Sequence, residues 1–463
     1  MSSSTDTKHI SPAGDAQADI APTDSTASTP PASALKDLLD TASNAAPEAK
    51  LRSKIVEDTA TPSADHPHAE RWITIAASAL MCMVGLNSGW VGPSLESIAK
   101  AQGVPLANAG SLVSVYFVGC VVTIVVGQWI LEKFGGRNSL RLAAVGMLAG
   151  LAMIASGAGF IITWLGSFIL GLGVGISSIA SNICILAIAP GHAASRLNRL
   201  HLFFGIGALI GPFVAWAGQQ TTWSYQATYA FGVLYTAVVG VILMKTPNIS
   251  ISVNDKKKAK SSTDDSLQQT STPHRSVFRE PLLWLFSAIL CLYVGIESGA
   301  GAWLFTFVEK EFQLSAGASA IAMSCLWGGL TLGRMSGVPL TRRFRPELIT
   351  IVAMLISTTA LAILLLASNL SDMALLVVAM LGFGFGPVFP TIIGGATTKF
   401  PAEKGTVTTT LITAGFIGGI IGPWTIGAVF EKIGLQQGMT MLLATSLAMS
   451  VLYAASAHKS KRA

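Results

Sequence analysis

Charged side chains are scarce in this chain. Asp, Glu, Lys and Arg make up 12% of its 463 residues, against 51% hydrophobic, where an ordinary soluble domain carries about 25% charged residues. With a mean hydropathy of +0.58, that deficit excludes a soluble globular protein of this length and leaves a membrane protein. Cysteine is sparse as well. Cys82, Cys120, Cys184, Cys291 and Cys325 all fall in apolar runs without a Cys-x-x-Cys pair, which reads as small hydrophobes packed between helices. No metal-ligand cluster, nucleophile elbow or phosphate loop is present in the sequence, so neither an enzymatic activity nor a cofactor is expected.

The apolar residues form runs of roughly 20, long enough to cross a hydrocarbon core of about 30 Å as helix. Twelve spans are predicted, at 72–95, 108–131, 141–161, 164–187, 200–219, 225–244, 282–305, 317–338, 348–367, 373–395, 408–429 and 435–456. The expected fold is an all-α membrane protein of two pseudo-symmetric six-helix bundles. Residues 71–245 would form the first and 281–457 the second.

The flanking segments read differently. Residues 1–70 are rich in Ser, Thr, Pro, Ala and Asp and are expected to be a disordered cytoplasmic tail, with at most a frayed helical turn at "ALKDLLD", 34–40. Residues 246–280, with a lysine cluster and many Ser and Thr, read as a solvated cytoplasmic linker, and 458–463 as a short tail. Of two sequons, Asn369 sits in a loop too short to favour glycosylation, and Asn248 falls in the linker.

Lys and Arg placement sets the expected orientation, because basic residues in short loops stay on the cytoplasmic side. With both termini inside, Lys133, Arg137, Arg141, Arg196, Arg199, Arg342, Arg343, Arg345, Lys399 and Lys404 are cytoplasmic, and only Lys100, Lys310 and Lys432 face outward. The formal net charge of +6 is then a consequence of topology, and no nucleic-acid partner is expected.

The two halves repeat. A shift of 211 residues lays "GLGVG" (171–175) on "GFGFG" (382–386) and "GIGALIGP" (205–212) on "FIGGIIGP" (416–423). A shift of 209 lays "VYFVG" (115–119) on "SCLWG" (324–328) and Ser88 on Glu297. Repeated six-helix halves suit a carrier whose halves rock about a midplane site. Small-xxx-small pairs such as Gly207/Gly211 and Gly418/Gly422 would let helices approach closely, although any single pair is equally an ordinary packing pair.

Four stretches carry a family resemblance: "RLNRLHLFFGIGALIGP" (196–212), "YVGIESGAGAW" (293–303), "SCLWGGLTLGR" (324–334) and "GFGFGPVFPT" (382–391). Together they resemble the fucose permease branch of the major facilitator superfamily, in particular its fungal members, over residues 72–456. The resemblance implies a sugar or sugar-like solute, commonly proton-coupled. It also implies acids in the first and fourth spans, where this chain has Ser88 and Ser178, neither able to carry a proton. "GQWILEKFGGR" (127–137) loosely resembles the superfamily's conformational latch, with Glu132, Lys133 and Arg137 as gating candidates or positive-inside anchors.

One acid stands apart. Glu297 lies near the middle of the seventh span, whereas Glu96, Glu132, Glu309, Glu311, Asp372 and Glu431 lie near span ends. An intramembrane carboxylate costs a few kcal/mol and faces a water-filled cavity or a partner, and burial disfavours its ionised form. Glu297 is therefore the candidate for binding a solute hydroxyl or the coupling proton, the alternative being a neutral Glu bonded to a neighbouring helix. A sugar site also needs amides, hydroxyls and an aromatic face, for which Asn87, Ser88, Ser178, Asn182, Trp303, Trp327 and Thr391 are the candidates.

At the gates, His201 opens the fifth span and Arg334 closes the eighth, while Pro387 and Pro390 would kink the tenth. The sequence thus predicts a monomeric carrier of a small hydrophilic solute, with protons and the bilayer as further partners. Plasma membrane is the default location, and a vacuolar or other internal membrane satisfies the same hydropathy. The alternative is a proton-driven exporter of an amphiphilic metabolite or drug, which the "GxxxGP" at 207–212 resembles, although the glycines that usually follow are Phe213 and Val214.

Overall fold

The computed structural model describes residues 66–188, 193–245, 277–341, 343–366 and 373–459. The expectations for the tail turn at 34–40, the body of the linker and both sequons lie outside the described residues. Regular structure among the described residues is entirely helical, as a lipid environment demands when every backbone polar group must be satisfied within its own segment. In chain order the helices are α1 (His66–Gln102), α2 (Leu106–Ala155), α3 (Phe160–Ile188), α4 (Ala193–Gln219) and α5 (Tyr225–Lys245). After a 3₁₀ turn, Val277–Arg279, come α6 (Pro281–Glu311), α7 (Ala316–Leu340), α8 (Pro346–Leu366), α9 (Ala374–Phe385), α10 (Val388–Lys399), α11 (Lys404–Lys432) and α12 (Leu435–Lys459).

Eleven stretches are long and apolar enough to cross a membrane, with α9 and α10 counted as one. The α2 stretch has 50 residues, about 75 Å of helix, far more than one crossing needs. It is broken at Gly135, where φ is 73° and ψ 168°, a conformation glycine adopts without a Cβ penalty. It therefore supplies the second and third crossings, and the total is the expected twelve. The third crossing stops at Ala155 rather than at the expected 161, because Gly157 and Gly159 turn the chain with φ of 63° and 109°. The tenth is interrupted at Gly386–Pro387, since Pro387 offers no N–H to the carbonyl one turn back. The buried end of α9, where the helix ladder stops, is satisfied from another helix: the Tyr293 hydroxyl donates to the Phe385 carbonyl at 2.7 Å.

The repeat seen in sequence is a repeat of contacts. A Cβ on Gly207 would strike the Cys82 carbonyl oxygen, and one on the matched Gly418 would strike that of Cys291. Gly211 likewise sits on the Leu86 carbonyl at 2.6 Å from its would-be Cβ, and Gly422 on that of Gly295. The fifth crossing thus packs on the first as the eleventh packs on the seventh, backbone against backbone. In the same way Gly171 presses on the Tyr116 carbonyl and Gly382 on that of Leu326, joining the fourth crossing to the second and the tenth to the eighth.

The halves meet along two seams, α2 with α11 and α4 with α7. On the first, Phe117 stacks near Phe416 with centroids 5.6 Å apart, and a Cβ on Gly110 of α2 would meet the Trp303 ring at 2.8 Å and the Pro423 carbonyl at 3.0 Å. On the second, the Ser324 hydroxyl donates to the Leu209 carbonyl at 2.8 Å. Where α1 and α6 end, polar contacts join the halves. Lys310 Nζ lies 2.7 Å from Glu96 Oε1, and the Ala107 N–H, free at the start of α2, donates to Glu431 Oε2 at 3.0 Å. This end is called the Glu96 face below, and the opposite end, with the Gly135 turn, the Arg137 face.

Candidate functional site

Five crossings of the first half and two of the second enclose a cavity of about 610 Å³, part of it open to solvent. Its polar wall is built mainly from α1, with Asn87 and Ser88, and from Tyr116, Ser167 and Tyr229 on α2, α3 and α5. The second half adds Ser298 and Gly301 of α6 and Trp327 of α7. Gly301 makes room for the indole, since a Cβ there would come within 3.3 Å of it. An apolar strip, including Val91, Leu95, Val113 and Phe117, completes the wall. No charged residue lines the cavity among the described residues.

The polar groups differ in what they have left to offer. Ser88 and Ser298 bond back to the carbonyls of Val84 and Val294 one turn earlier, at 3.1 and 2.6 Å, which leaves each oxygen as an acceptor. Asn87 accepts from Trp90 Nε1 at 3.2 Å through its carbonyl oxygen. Trp327 Nε1 is buried without a hydrogen-bond partner among the described residues. A buried, unpaired donor in a membrane interior is costly, so this N–H suits an acceptor brought by a solute.

Three of the predicted residues, Asn87, Ser88 and Trp327, come together here; the others lie elsewhere. Asn182 donates to the Ser178 carbonyl at 2.8 Å, and Ser178 to that of Val174 at 2.9 Å, so both turn back on their own helix. Thr391 does the same to Pro387 at 2.6 Å. Trp303 is wholly buried, its N–H spent on Pro423 and its ring tilted against Phe430 at 5.5 Å, a packing role between α6 and α11. Tyr116, Ser167, Tyr229 and Ser298 were not anticipated. Of these only Ser298, next to Glu297, carried a signal in the sequence.

Glu297 lies beside the cavity. Its Oε1 is 3.5 Å from Arg334 Nη2 on α7, with side chains 16% and 35% exposed respectively. Tyr293, one turn before Glu297, lies within electrostatic reach of both charges. Arg334 also sits over the ring of Phe204 on α4, 5.9 Å from guanidinium carbon to centroid. His201, exposed near the start of α4, interacts electrostatically with Arg334.

The gating candidates near Gly135 are placed by local contacts. Glu132 accepts from Gln128 at 3.0 Å, and Lys133 lies over the Trp129 and Phe134 rings at 4.7 and 5.5 Å. Arg137 is half-buried, near Arg141, which caps α5 by donating to the Leu243 carbonyl at 2.9 and 3.0 Å. Pro387 marks the break between α9 and α10, and Pro390 is exposed within the first turn of α10.

A model of the family described as Major Facilitator Superfamily matches residues 77–423. The chain belongs to the major facilitator superfamily. As such it is a multi-pass membrane protein of a transporter family. It is similar to Bypass of stop codon protein 6 of Saccharomyces cerevisiae, 23% identical over 388 residues covering 78% of each chain. It is also similar to a TsgA homologue of Serratia proteamaculans, 23% identical over 386 residues, 82% of this chain and 93% of that one. Among solved structures, a D-xylose–proton symporter superposes with a TM-score of 0.69 at 16% identity, covering 82% of this chain and 96% of the symporter. The nucleoside transporter NupG superposes with 0.65 at 14% identity, covering 84% and 98%. At these identities the two superpositions establish a shared fold.

Proposed function

We propose that this superfamily member carries a small, neutral, hydroxylated solute, a monosaccharide or a related compound, by alternating access, with Glu297 as the site of proton coupling. The observation that carries the reading is the cavity between the halves. Its wall offers an amide, serine and tyrosine hydroxyls and an indole N–H without a charged residue, and it sets aromatic rings beside them. That combination suits a ring with hydroxyls around its edge and C–H groups on its face. Two structural neighbours are named for such solutes, D-xylose and nucleosides, and the resemblance to the fucose permease branch points the same way.

Glu297 supports coupling by position. Its neighbour Ser298 lines the cavity, and its carboxylate faces the Arg334 guanidinium at 3.5 Å. A proton on Glu297 would cancel the attraction in that pair. The basic residues around the Arg137 face support placing that face, with both termini, in the cytoplasm. A monomer in the plasma membrane, or in a vacuolar membrane, is the proposed setting. The apolar strip formed by Val91, Leu95, Val113 and Phe117 favours a second reading, export of an amphiphilic metabolite.

The test is uptake of labelled monosaccharides and polyols into cells expressing the intact chain or Glu297→Gln, with and without a protonophore. Saturable uptake that collapses with the proton gradient and is no longer concentrative in the variant supports the proposal. If no sugar enters under any condition, export takes its place.

A further inference from the structure

The ion pair beside the cavity and the cavity itself touch the same side chain of the opposite half. Phe204, on α4 of the first half, meets Trp327 edge to face with centroids 6.4 Å apart and planes at 82°. The same ring faces the Arg334 guanidinium at 5.9 Å. Trp327 lines the cavity, and Arg334 holds Glu297. The α4 backbone is fixed at this point, because a Cβ on Gly85 of α1 would strike the Phe204 carbonyl. Phe204 is thus a firmly seated aromatic of one half, lodged between a cavity residue and a charge-paired residue of the other.

We propose that Phe204 is the positioning residue through which the charge state of Glu297 and the contents of the cavity act on the closure of the two halves. The inference rests on Glu297 taking the coupling proton, as proposed above. When Glu297 is ionised, its carboxylate shares the charge of Arg334. When it is protonated, the guanidinium is left to the face of Phe204, and attraction to the ring quadrupole across the α4–α7 seam strengthens. Arg334 lies near the end of α7 and Phe204 in the first half of α4, so this contact holds the seam on the Arg137 side. Proton binding therefore favours closure of the Arg137 face, and proton release loosens it. A solute resting on Trp327 acts on the same ring from the cavity side.

Two other groups near the pair are separable. Tyr293 on α6 faces both charges of the pair and donates its hydroxyl to the Phe385 carbonyl at 2.7 Å. His201, three residues before Phe204 on α4, interacts electrostatically with Arg334, and since imidazole is the side chain that most often changes charge between pH 5 and 8, it requires its own control.

The full chain is reconstituted in lipid nanodiscs with its native cysteines replaced and spin labels at Asn138 and Arg345. Both positions are exposed on the Arg137 face, one in each half. Pulsed dipolar distances are recorded from pH 8 to pH 5. The expected result is a short-distance population that grows several-fold toward acid, with Glu297→Gln fixed near the acid limit and His201→Gln unchanged from the parent. Phe204→Leu, which keeps bulk and loses the π face, is expected to cut the acid response by at least about twofold, the low end of a cation–π contact. Phe204→Trp retains it. If Phe204→Leu does not fold, Arg334→Lys, which keeps the charge without the planar guanidinium, reads the same contact from the other side and is expected to weaken the response.

A full response in the Phe204→Leu variant, or in Arg334→Lys where that stands in, overturns the inference while a flat Glu297→Gln leaves the coupling proposal standing. A Glu297→Gln protein that still responds, a His201→Gln protein that does not, or a parent with no response overturns both.

Discussion

Arg334 and Glu297, 37 residues apart, face each other at 3.5 Å from adjacent helices in the middle of a membrane protein. The pair is neither fully buried nor free in water, with 16% of the Glu297 side chain and 35% of that of Arg334 exposed. Exposed pairs contribute about 0–1 kcal/mol, whereas breaking a buried pair costs about 3–5 kcal/mol. Glu297→Gln and Arg334→Gln are therefore expected each to lose about 2 kcal/mol, between those limits. The double variant should lose clearly less than the sum, since neither charge is then left alone. Thermal unfolding in detergent of the four proteins measures this, and strictly additive losses would mean that the two side chains are not partners.

How much of this was legible beforehand varied with the range of the interaction. The crossings and their order followed from runs of apolar residues, because a bilayer imposes helix on any such run. The pseudo-symmetry followed from Gly207 and Gly418, since a glycine needed at a backbone contact recurs wherever the contact recurs. The cavity was only partly legible. Trp303 and Trp327 have the same character in sequence, and only the packing of α6 against α11 decides that one indole is consumed by Pro423 while the other faces the cavity. Tyr116, Ser167 and Tyr229 are single hydroxyls on apolar helices with nothing in the sequence to set them apart, and Ser167 even bonds back to the Thr163 carbonyl at 3.1 Å as buried helix serines commonly do. The depth of Glu297 was evident from the span around it, but its partner, a helix away, was not.

The matched glycines make a direct test of the repeat. At Gly207 and Gly418 a Cβ would meet a backbone carbonyl, which cannot move aside as a side chain can. Gly207→Ala and Gly418→Ala are expected to cost about 1–3 kcal/mol each, as overpacking does. Gly240, in α5, has nothing within 4 Å of its would-be Cβ. Gly240→Ala should accordingly be neutral or stabilising by about 0.5–1 kcal/mol, the difference in helix propensity. Melting temperatures of the three purified variants decide it; equal behaviour at all three positions would contradict the close helix approach.

On the Glu96 face the Lys310–Glu96 pair joins the halves at 2.7 Å, with side chains 43% and 38% exposed. A pair so exposed contributes at most about 1 kcal/mol and is screened by salt, enough to shift a two-state equilibrium by about fivefold. Glu96→Gln is expected to increase labelling of a cysteine placed at Ser298 by an impermeant thiol reagent added on the Glu96 side. Adding salt to the parent should have the same effect, and the exchanged pair Glu96→Lys with Lys310→Glu should restore protection. No change in labelling in either single condition would show that other contacts, such as Glu431 with the Ala107 amide, close this face by themselves.

The last prediction concerns Trp327, whose buried N–H has no partner among the described residues. Removing a donor that the protein itself does not satisfy relieves a desolvation penalty rather than breaking a bond. Trp327→Phe should therefore leave the melting temperature of the solute-free protein unchanged or slightly raised, while keeping a ring at the edge of Phe204. If the N–H serves the solute, the same substitution removes one hydrogen bond of about 0.5–1.5 kcal/mol, and the KM for a transported monosaccharide rises roughly 2- to 12-fold. Such a change would appear in KM without a matching fall in maximal rate, because the bond is made on binding and kept through the cycle. An unchanged KM would place the solute away from Trp327, toward Asn87 and Tyr116 on the opposite wall.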